Sequence, residues 1–239
     1  MLPRELITGA SRGIGKACAE CFAKEGFELY LTCLHSVGAL QKLQDRIQKE
    51  YAVPCHIYCC DMGDYEQVAG VFSEINRLDV LINNAGISFT GLFTDMTPTQ
   101  WEHILRTNLN SCFNTCSLAV PLMLQEKKGK IINVSSIWGT RGASMEVAYS
   151  AAKGGVNAFT KALAKELAPS GIQVNAAAFG AIDTDMMKSY GAEDLALICE
   201  EIPADRLGTP KEAAGLILSL ALSPDYLTGQ IVAMDGGWY

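Results

Sequence analysis

Basic charge is scarce in this 239-residue chain: 19 lysines and arginines stand against 26 aspartates and glutamates, giving a net charge of −7, with only three histidines. A nucleic-acid surface needs clustered cations to replace the counterions of several phosphates. The one basic run, Lys127-Lys128-Gly129-Lys130, is short and reads as a solvated loop before an apolar strand, which excludes nucleic acid as a partner. Long apolar runs are missing as well. None approaches the about 18 residues that span a bilayer, and the N-terminus lacks the charged segment and apolar core of an export signal. The expectation is a cytoplasmic protein that does not enter the membrane. Metal ligands do not cluster either. The nine cysteines are irregularly placed in a chain too large to need disulfide staples. Cys18-Ala19-Glu20-Cys21 has the C-x-x-C form, but no second pair follows, so buried thiols are expected and no metal site.

What is present suits a globular chain: 49% of residues are apolar and 19% charged, and α/β domains of this length are commonly single. Leu2 to Thr8 is a short apolar run that enters Thr8-Gly9-Ala10-Ser11-Arg12-Gly13-Ile14-Gly15, after which Ile14, Ala17, Cys18, Cys21 and Phe22 recur at helical spacing. A strand, a glycine turn and a helix starting near Gly13 would let a pyrophosphate approach the backbone and meet the positive end of a helix dipole. A plain strand-to-helix turn is the alternative, since the spacing is not G-x-G-x-x-G. Phe27 to Cys33 reads as a second strand. Its end, Thr32-Cys33-Leu34-His35-Ser36, carries no carboxylate for the ribose 2′-hydroxyl of NAD. Arg12 can reach the same place and meet the 2′-phosphate of NADP, which favours NADP over NAD. Otherwise Arg12 covers the helix and His35 is a surface loop residue.

Val37 to Glu50 has helical spacing, and Val53 to Cys60 reads as a third strand stopping at Asp61-Met62. That carboxylate either accepts a hydrogen bond from an adenine amine or caps the next helix, Gln67 to Ile75. Val80-Leu81-Ile82 is a buried strand ended by Asn83-Asn84-Ala85-Gly86, residues that suit a ligand crevice or a simple turn. Thr97-Pro98-Thr99-Gln100 opens a long helix running to Leu124. Asn108 inside it implies either a bend with water or a satisfied core amide. Ile131 to Val134 is a fifth strand with Ser135-Ser136 at its end, Glu146 to Leu167 a helix, and Ile172 to Ala176 the start of a sixth strand. Residues 180–204 read as an irregular acidic insertion, the form a substrate lid takes. Pro210 to Ser223 is the last helix and Gln230 to Met234 the last strand. The alternation gives one domain, 1–239: a Rossmann-like, doubly wound α/β fold with a seven-stranded parallel sheet and helices on both faces.

The chemistry converges on Tyr149-Ser150-Ala151-Ala152-Lys153. Residues four apart share a helix face, so the Lys153 ammonium would stand beside the Tyr149 phenol and favour its ionised form. A phenol tuned in this way is a general acid, and Ser136 would hold the oxygen that receives the proton.

Taken together, Thr8-Gly9-x-x-x-Gly13-x-Gly15, Asp61, Asn83-Asn84-Ala85-Gly86, Asn108, Ser136, Tyr149-x-x-x-Lys153 and Asp235-Gly236-Gly237 resemble the short-chain dehydrogenase/reductase family over essentially the whole chain. The resemblance implies a glycine loop (Gly9, Ser11, Arg12, Gly13, Ile14, Gly15) on the pyrophosphate and Asp61 and Met62 flanking adenine. Asn84, Ala85 and Gly86 would line the adenosine ribose side, with His35 toward its 2′-position, and Gly180, Ile182 and Thr184 would lie beside the nicotinamide. It also implies that Lys153 holds the nicotinamide ribose and lowers the Tyr149 pKa, that Ser136 binds the carbonyl, and that Asn108 positions a relay water. One position departs: Phe179 precedes Gly180 where the family has proline.

Leu227-Thr228-Gly229-Gln230 and the chain ending are similar to the 3-oxoacyl-acyl-carrier-protein reductase branch, which implies a carrier-linked carbonyl substrate. Of that branch's two basic docking positions, Lys127 fills one and Ser170 the other. The segments Ser135 to Gly139 and Glu146 to Tyr149 also look like reductases of the 5-aminopentanone group on elongation factor P. Glu146 would attract a cationic amine, or simply favour the helix N-terminus. The family resemblance further implies a homotetramer, with Ile231 to Met234, Trp238 and Tyr239 at an interface.

Overall fold

The computed structural model of the protein describes residues 2–239. Its frame is a single parallel sheet of β1 (Arg4–Ile7), β2 (Glu28–Cys33), β3 (Cys55–Cys59), β4 (Val80–Asn83), β5 (Gly129–Ser136), β6 (Ile172–Phe179) and β7 (Ile231–Met234), ordered β3-β2-β1-β4-β5-β6-β7. A parallel sheet is covered on both faces, so its central strands read as continuous apolar runs. All eight positions of β5 and of β6 are buried accordingly. The sixth strand extends through Phe179, beyond the expected start at Ile172 to Ala176.

Helices α1 (Gly13–Lys24), α2 (Val37–Tyr51) and α9 (Pro210–Ala221) cover one face, burying Cys18, Phe22, Leu40, Ile47 and Ile217 against Ile7, Leu31 and Ile82. Helices α3 (Tyr65–Phe72), α5 (Ser111–Glu126) and α7 (Val147–Leu167) cover the other, with Val68, Met123 and Leu167 against Leu6, Leu81 and Ile131. The doubly wound arrangement expected from the sequence therefore forms. Helices α4 (Pro98–Leu105), α6 (Trp138–Arg141) and α8 (Ala192–Glu201) complete the chain.

Three expected elements differ. The third helix starts earlier, at Tyr65, because the Asp64 side chain accepts from the Gln67 amide and caps it there. The long helix from Thr97 begins as predicted with a Thr97–Gln100 capping box and Pro98 in its first turn, but Arg106–Asn110 is one turn of π-helix between α4 and α5. Such a turn widens the backbone and commonly marks a functional position. The insertion at 180–204 is folded, with a 3₁₀ turn at Asp185–Ser189 followed by α8. No residue of α8 is buried; the flanking Gly191 and Pro203 and the acidic Glu193, Asp194, Glu200 and Glu201 are what read as irregular in the sequence. No helix among the described residues is long and apolar enough to cross a membrane.

Strand order reverses between β1 and β4, and the carboxyl ends of these strands part to leave the crevice in which open α/β sheets hold ligands.

Candidate active site

The glycine loop occupies one wall of that crevice. Thr8, buried at the end of β1, accepts hydrogen bonds at its Oγ1 from the backbone amides of Asn84 and Ala85, both at 2.9 Å. The Asn84 side chain returns two bonds, donating to the carbonyl oxygens of Thr8 at 2.9 Å and Gly9 at 3.1 Å. The two carboxyl ends are thus stitched together by side chains that leave the loop itself free of bulk. A Cβ on Gly15 would lie 2.4 Å from the Gly9 oxygen, and one on Gly9 would lie 3.0 Å from the Ala85 Cα. Gly9 and Gly13 have φ of 66° and 54°, the left-handed region that favours glycine. A cradle this close, opening a helix without an acidic first turn, fits a pyrophosphate.

The remaining expected cofactor residues sit around this cradle with some changes of role. His35 is exposed beyond β2, and Met62 is buried. Ile182 is likewise buried, in the main core, and bridges to Gly208. Thr184 packs near Gly13. Arg12 is exposed, and it pairs with Asp185 at 3.9 Å. Asp61 is engaged on both oxygens, by the Gly63 amide at 2.9 Å and the Arg106 guanidinium at 2.5 Å. It caps no helix, a task that falls to Asp64. Phe179, in the place of the family's proline, pairs with Ser136 and Met234 in the sheet, and its ring joins the core.

The catalytic candidates come together on the other wall. Ser136 ends β5, and its Oγ accepts from the Trp138 amide at 3.2 Å and hydrogen-bonds Tyr149. Lys153, one turn beyond Tyr149 on α7, is buried, with Nζ 5.6 Å from the Tyr149 ring centroid. Asn108 lies within the π-turn, its amide donating to the carbonyls of Ile87 at 2.9 Å and Ile104 at 3.0 Å and its oxygen accepting from the Ile87 amide at 3.2 Å. The satisfied core amide, one of the two alternatives read from sequence, is what forms, and the bend is the π-turn. Gly86 lies between Asn108 and Lys153: a Cβ there would meet Asn108 Oδ1 at 2.7 Å and Lys153 Nζ at 3.5 Å.

The electrostatics correct one expectation. Tyr149 is not made more acidic; burial, and next the nearby Glu146 carboxyl, push its pKa up, with only the Ser136 hydrogen bond pulling it down. Lys153, 5.6 Å from the ring centroid, donates its ammonium to the Val134 carbonyl at 2.8 Å, and burial drives its own pKa down to about 8. Spacing places the two residues on one face, but desolvation decides the sign.

Sequence reading missed what supports the site. Asn83 donates to Asn133 at 2.9 Å and accepts from Thr115 at 2.6 Å, and Asn133 donates to Thr160 at 2.8 Å. Ser135 donates to Asn157 at 2.6 Å. These buried bonds fix β4, β5, α5 and α7 to one another beneath the catalytic groups. Amide and hydroxyl residues inside apolar runs were the available signal. Glu146 is also more than a surface charge: burial raises its pKa, and the Tyr190 hydroxyl donates to it at 3.2 Å from the 180–204 segment.

The family model for short chain dehydrogenase matches residues 5–195. The chain is 39% identical over 236 residues to the uncharacterized oxidoreductase YmfI of Bacillus subtilis, covering 98% of each. It is 36% identical to the 3-oxoacyl-[acyl-carrier-protein] reductase FabG of Aquifex aeolicus, over 98% of this chain and 96% of that one. A crystal structure of 3-oxoacyl-[acyl-carrier protein] reductase from Brucella melitensis superposes with a TM-score of 0.93 at 33% identity, over 99% of this chain and 91% of that one.

Proposed function

The chain belongs to the short-chain dehydrogenase family, an oxidoreductase of CH–OH and C=O groups, and from that premise we propose that it is an NADPH-dependent reductase converting a ketone to a secondary alcohol. The observation that carries the proposal is the meeting of Ser136, Tyr149, Lys153 and Asn108 beside a glycine cradle. Gly9, Ser11, Arg12, Gly13, Ile14 and Gly15 would hold the pyrophosphate, and Tyr149 and Lys153 the nicotinamide ribose. When bound, the nicotinamide supplies the hydride.

The chain's own groups handle the proton. The Tyr149 hydroxyl gives its proton to the carbonyl oxygen, which Ser136 orients from the end of β5. Burial and Glu146 keep that phenol protonated, the state from which it can give a proton. Lys153, titrating near 8, returns a proton to the phenolate. The absence of a carboxylate at the end of β2 supports NADP over NAD.

The first substrate reading is a 3-oxoacyl thioester, after the 3-oxoacyl-[acyl-carrier-protein] named for the Aquifex and Brucella relatives. A second is favoured by Glu146: a partly buried carboxyl three residues before Tyr149 is suited to a ketone bearing a cationic amine, such as the aminopentanone group on elongation factor P. The Tyr190–Glu146 bond supports reading residues 180–204 as a substrate lid that reaches that carboxyl. We further expect a cytoplasmic homotetramer, with the partly exposed edge strand β7 at an interface. The test is NADPH oxidation with acetoacetyl thioesters, neutral ketones and amino ketones, in the native protein and in Glu146→Gln. The cationic reading predicts at least a tenfold preference for the amino ketone that disappears in the variant. The carrier reading predicts thioester turnover untouched by it. No turnover on any ketone would overturn both.

A further inference from the structure

We propose that Arg106 is a positioning residue for the adenosine half of the cofactor, acting through Asp61 and Gly63; the inference rests on the nucleotide reading above. Arg106 opens the π-turn and reaches across to the loop that follows β3. Its Nε donates to the Gly63 carbonyl at 3.1 Å and its Nη2 to Asp61 Oδ2 at 2.5 Å, while the second Asp61 oxygen accepts the Gly63 amide at 2.9 Å.

Gly63 and Arg106 are shaped to each other. A Cβ at position 63 would stand 2.7 Å from the Arg106 Cγ, so only glycine admits the guanidinium stem at this distance. A second tether lies on the far side of the π-turn, where the Asn114 side chain donates to the Met62 carbonyl at 3.0 Å. Residues 61, 62 and 63 are therefore each held from the segment that also carries Asn108.

An exposed Arg–Asp pair commonly does little. This one differs in that a single guanidinium holds both a carboxylate and a backbone carbonyl of the same loop, a planar fork that lysine cannot reproduce. The loop lies at the carboxyl end of β3, on the adenosine side of the crevice. Asp61, with both oxygens engaged, meets a ligand as half of an ion pair whose geometry Arg106 sets.

Calorimetric titration separates the halves of the cofactor. The probes are NADPH, adenosine 2′,5′-bisphosphate, adenosine 5′-monophosphate and dihydronicotinamide mononucleotide. The proteins are native, Arg106→Ala, Arg106→Lys and Asp61→Asn. The expected result is that Arg106→Ala weakens NADPH and the better-bound adenosine probe by about tenfold or more and leaves the mononucleotide within about twofold. Arg106→Lys recovers part of the loss, and Asp61→Asn, which keeps the side-chain shape, reproduces it. Unchanged adenosine binding, or equal weakening of both halves, overturns the proposal. Native protein that binds none of the probes overturns the nucleotide reading and this inference with it; native binding with insensitive variants overturns this inference alone.

Discussion

Replacing Glu5 with methionine is expected to stabilise the protein, and increasingly so as pH rises. Glu5 sits in the middle of β1, in register with Leu29 on one side and Val80 on the other. Its side chain is fully buried, and neither carboxyl oxygen has a hydrogen-bond partner among the described residues. Burial raises its pKa well above the usual carboxylate range. A group whose pKa is raised by folding contributes most favourably below its unfolded pKa, and the contribution is lost as pH climbs toward the folded value. The unfolded carboxyl ionises near about 4.3, so each pH unit between that value and the raised folded value costs up to about 1.4 kcal/mol. Methionine has a similar shape and no charge to lose. Urea unfolding at pH 5, 6 and 7, at one protein concentration, gives the difference in stability between Glu5→Met and native protein, from which the other titrating groups cancel. That difference should grow with pH in favour of the variant. A pH-independent difference, or a variant less stable at pH 7, refutes the reasoning.

Gly15→Ala places a methyl 2.4 Å from the Gly9 oxygen and 2.6 Å from Asn84 Nδ2, so NADPH affinity should fall by at least about tenfold, by fluorescence titration, while helix content by circular dichroism holds. Thr115→Val keeps the side-chain shape but leaves the Asn83 oxygen without its 2.6 Å donor. Chemical denaturation should show a loss of about 1–3 kcal/mol, and a loss below about 0.5 kcal/mol would mean the buried amide network is not stabilising.

Much of the fold is legible in the sequence because a parallel sheet buried on both faces demands continuous apolar runs, as at Val80-Leu81-Ile82 and Ile131-Ile132-Asn133-Val134. The helix that carries Tyr149 and Lys153 could be placed for the same reason, from its spacing. Burial of individual atoms was not legible. Glu5 reads as one polar residue in an apolar strand, and only its two neighbouring strands reveal that it meets no water. The direction of the Tyr149 shift fails likewise, because periodicity gives proximity to Lys153 but not the burial that outweighs it. Contacts distant in sequence, such as Arg106 to Asp61 and Tyr190 to Glu146, are set by how loops cross the end of the sheet. Helix α8 escaped detection because Gly191, Pro203 and the acidic Glu193, Asp194, Glu200 and Glu201 around its short apolar stripe read as a loop.

The central claim is that the Tyr149 hydroxyl is the proton donor of a ketone reduction. Tyr149→Phe removes that one atom and leaves the ring. NADPH binding by fluorescence should stay within a few-fold of the native value while single-turnover ketone reduction falls by at least about a hundredfold. A phenylalanine variant that reduces the ketone at the native rate contradicts the account.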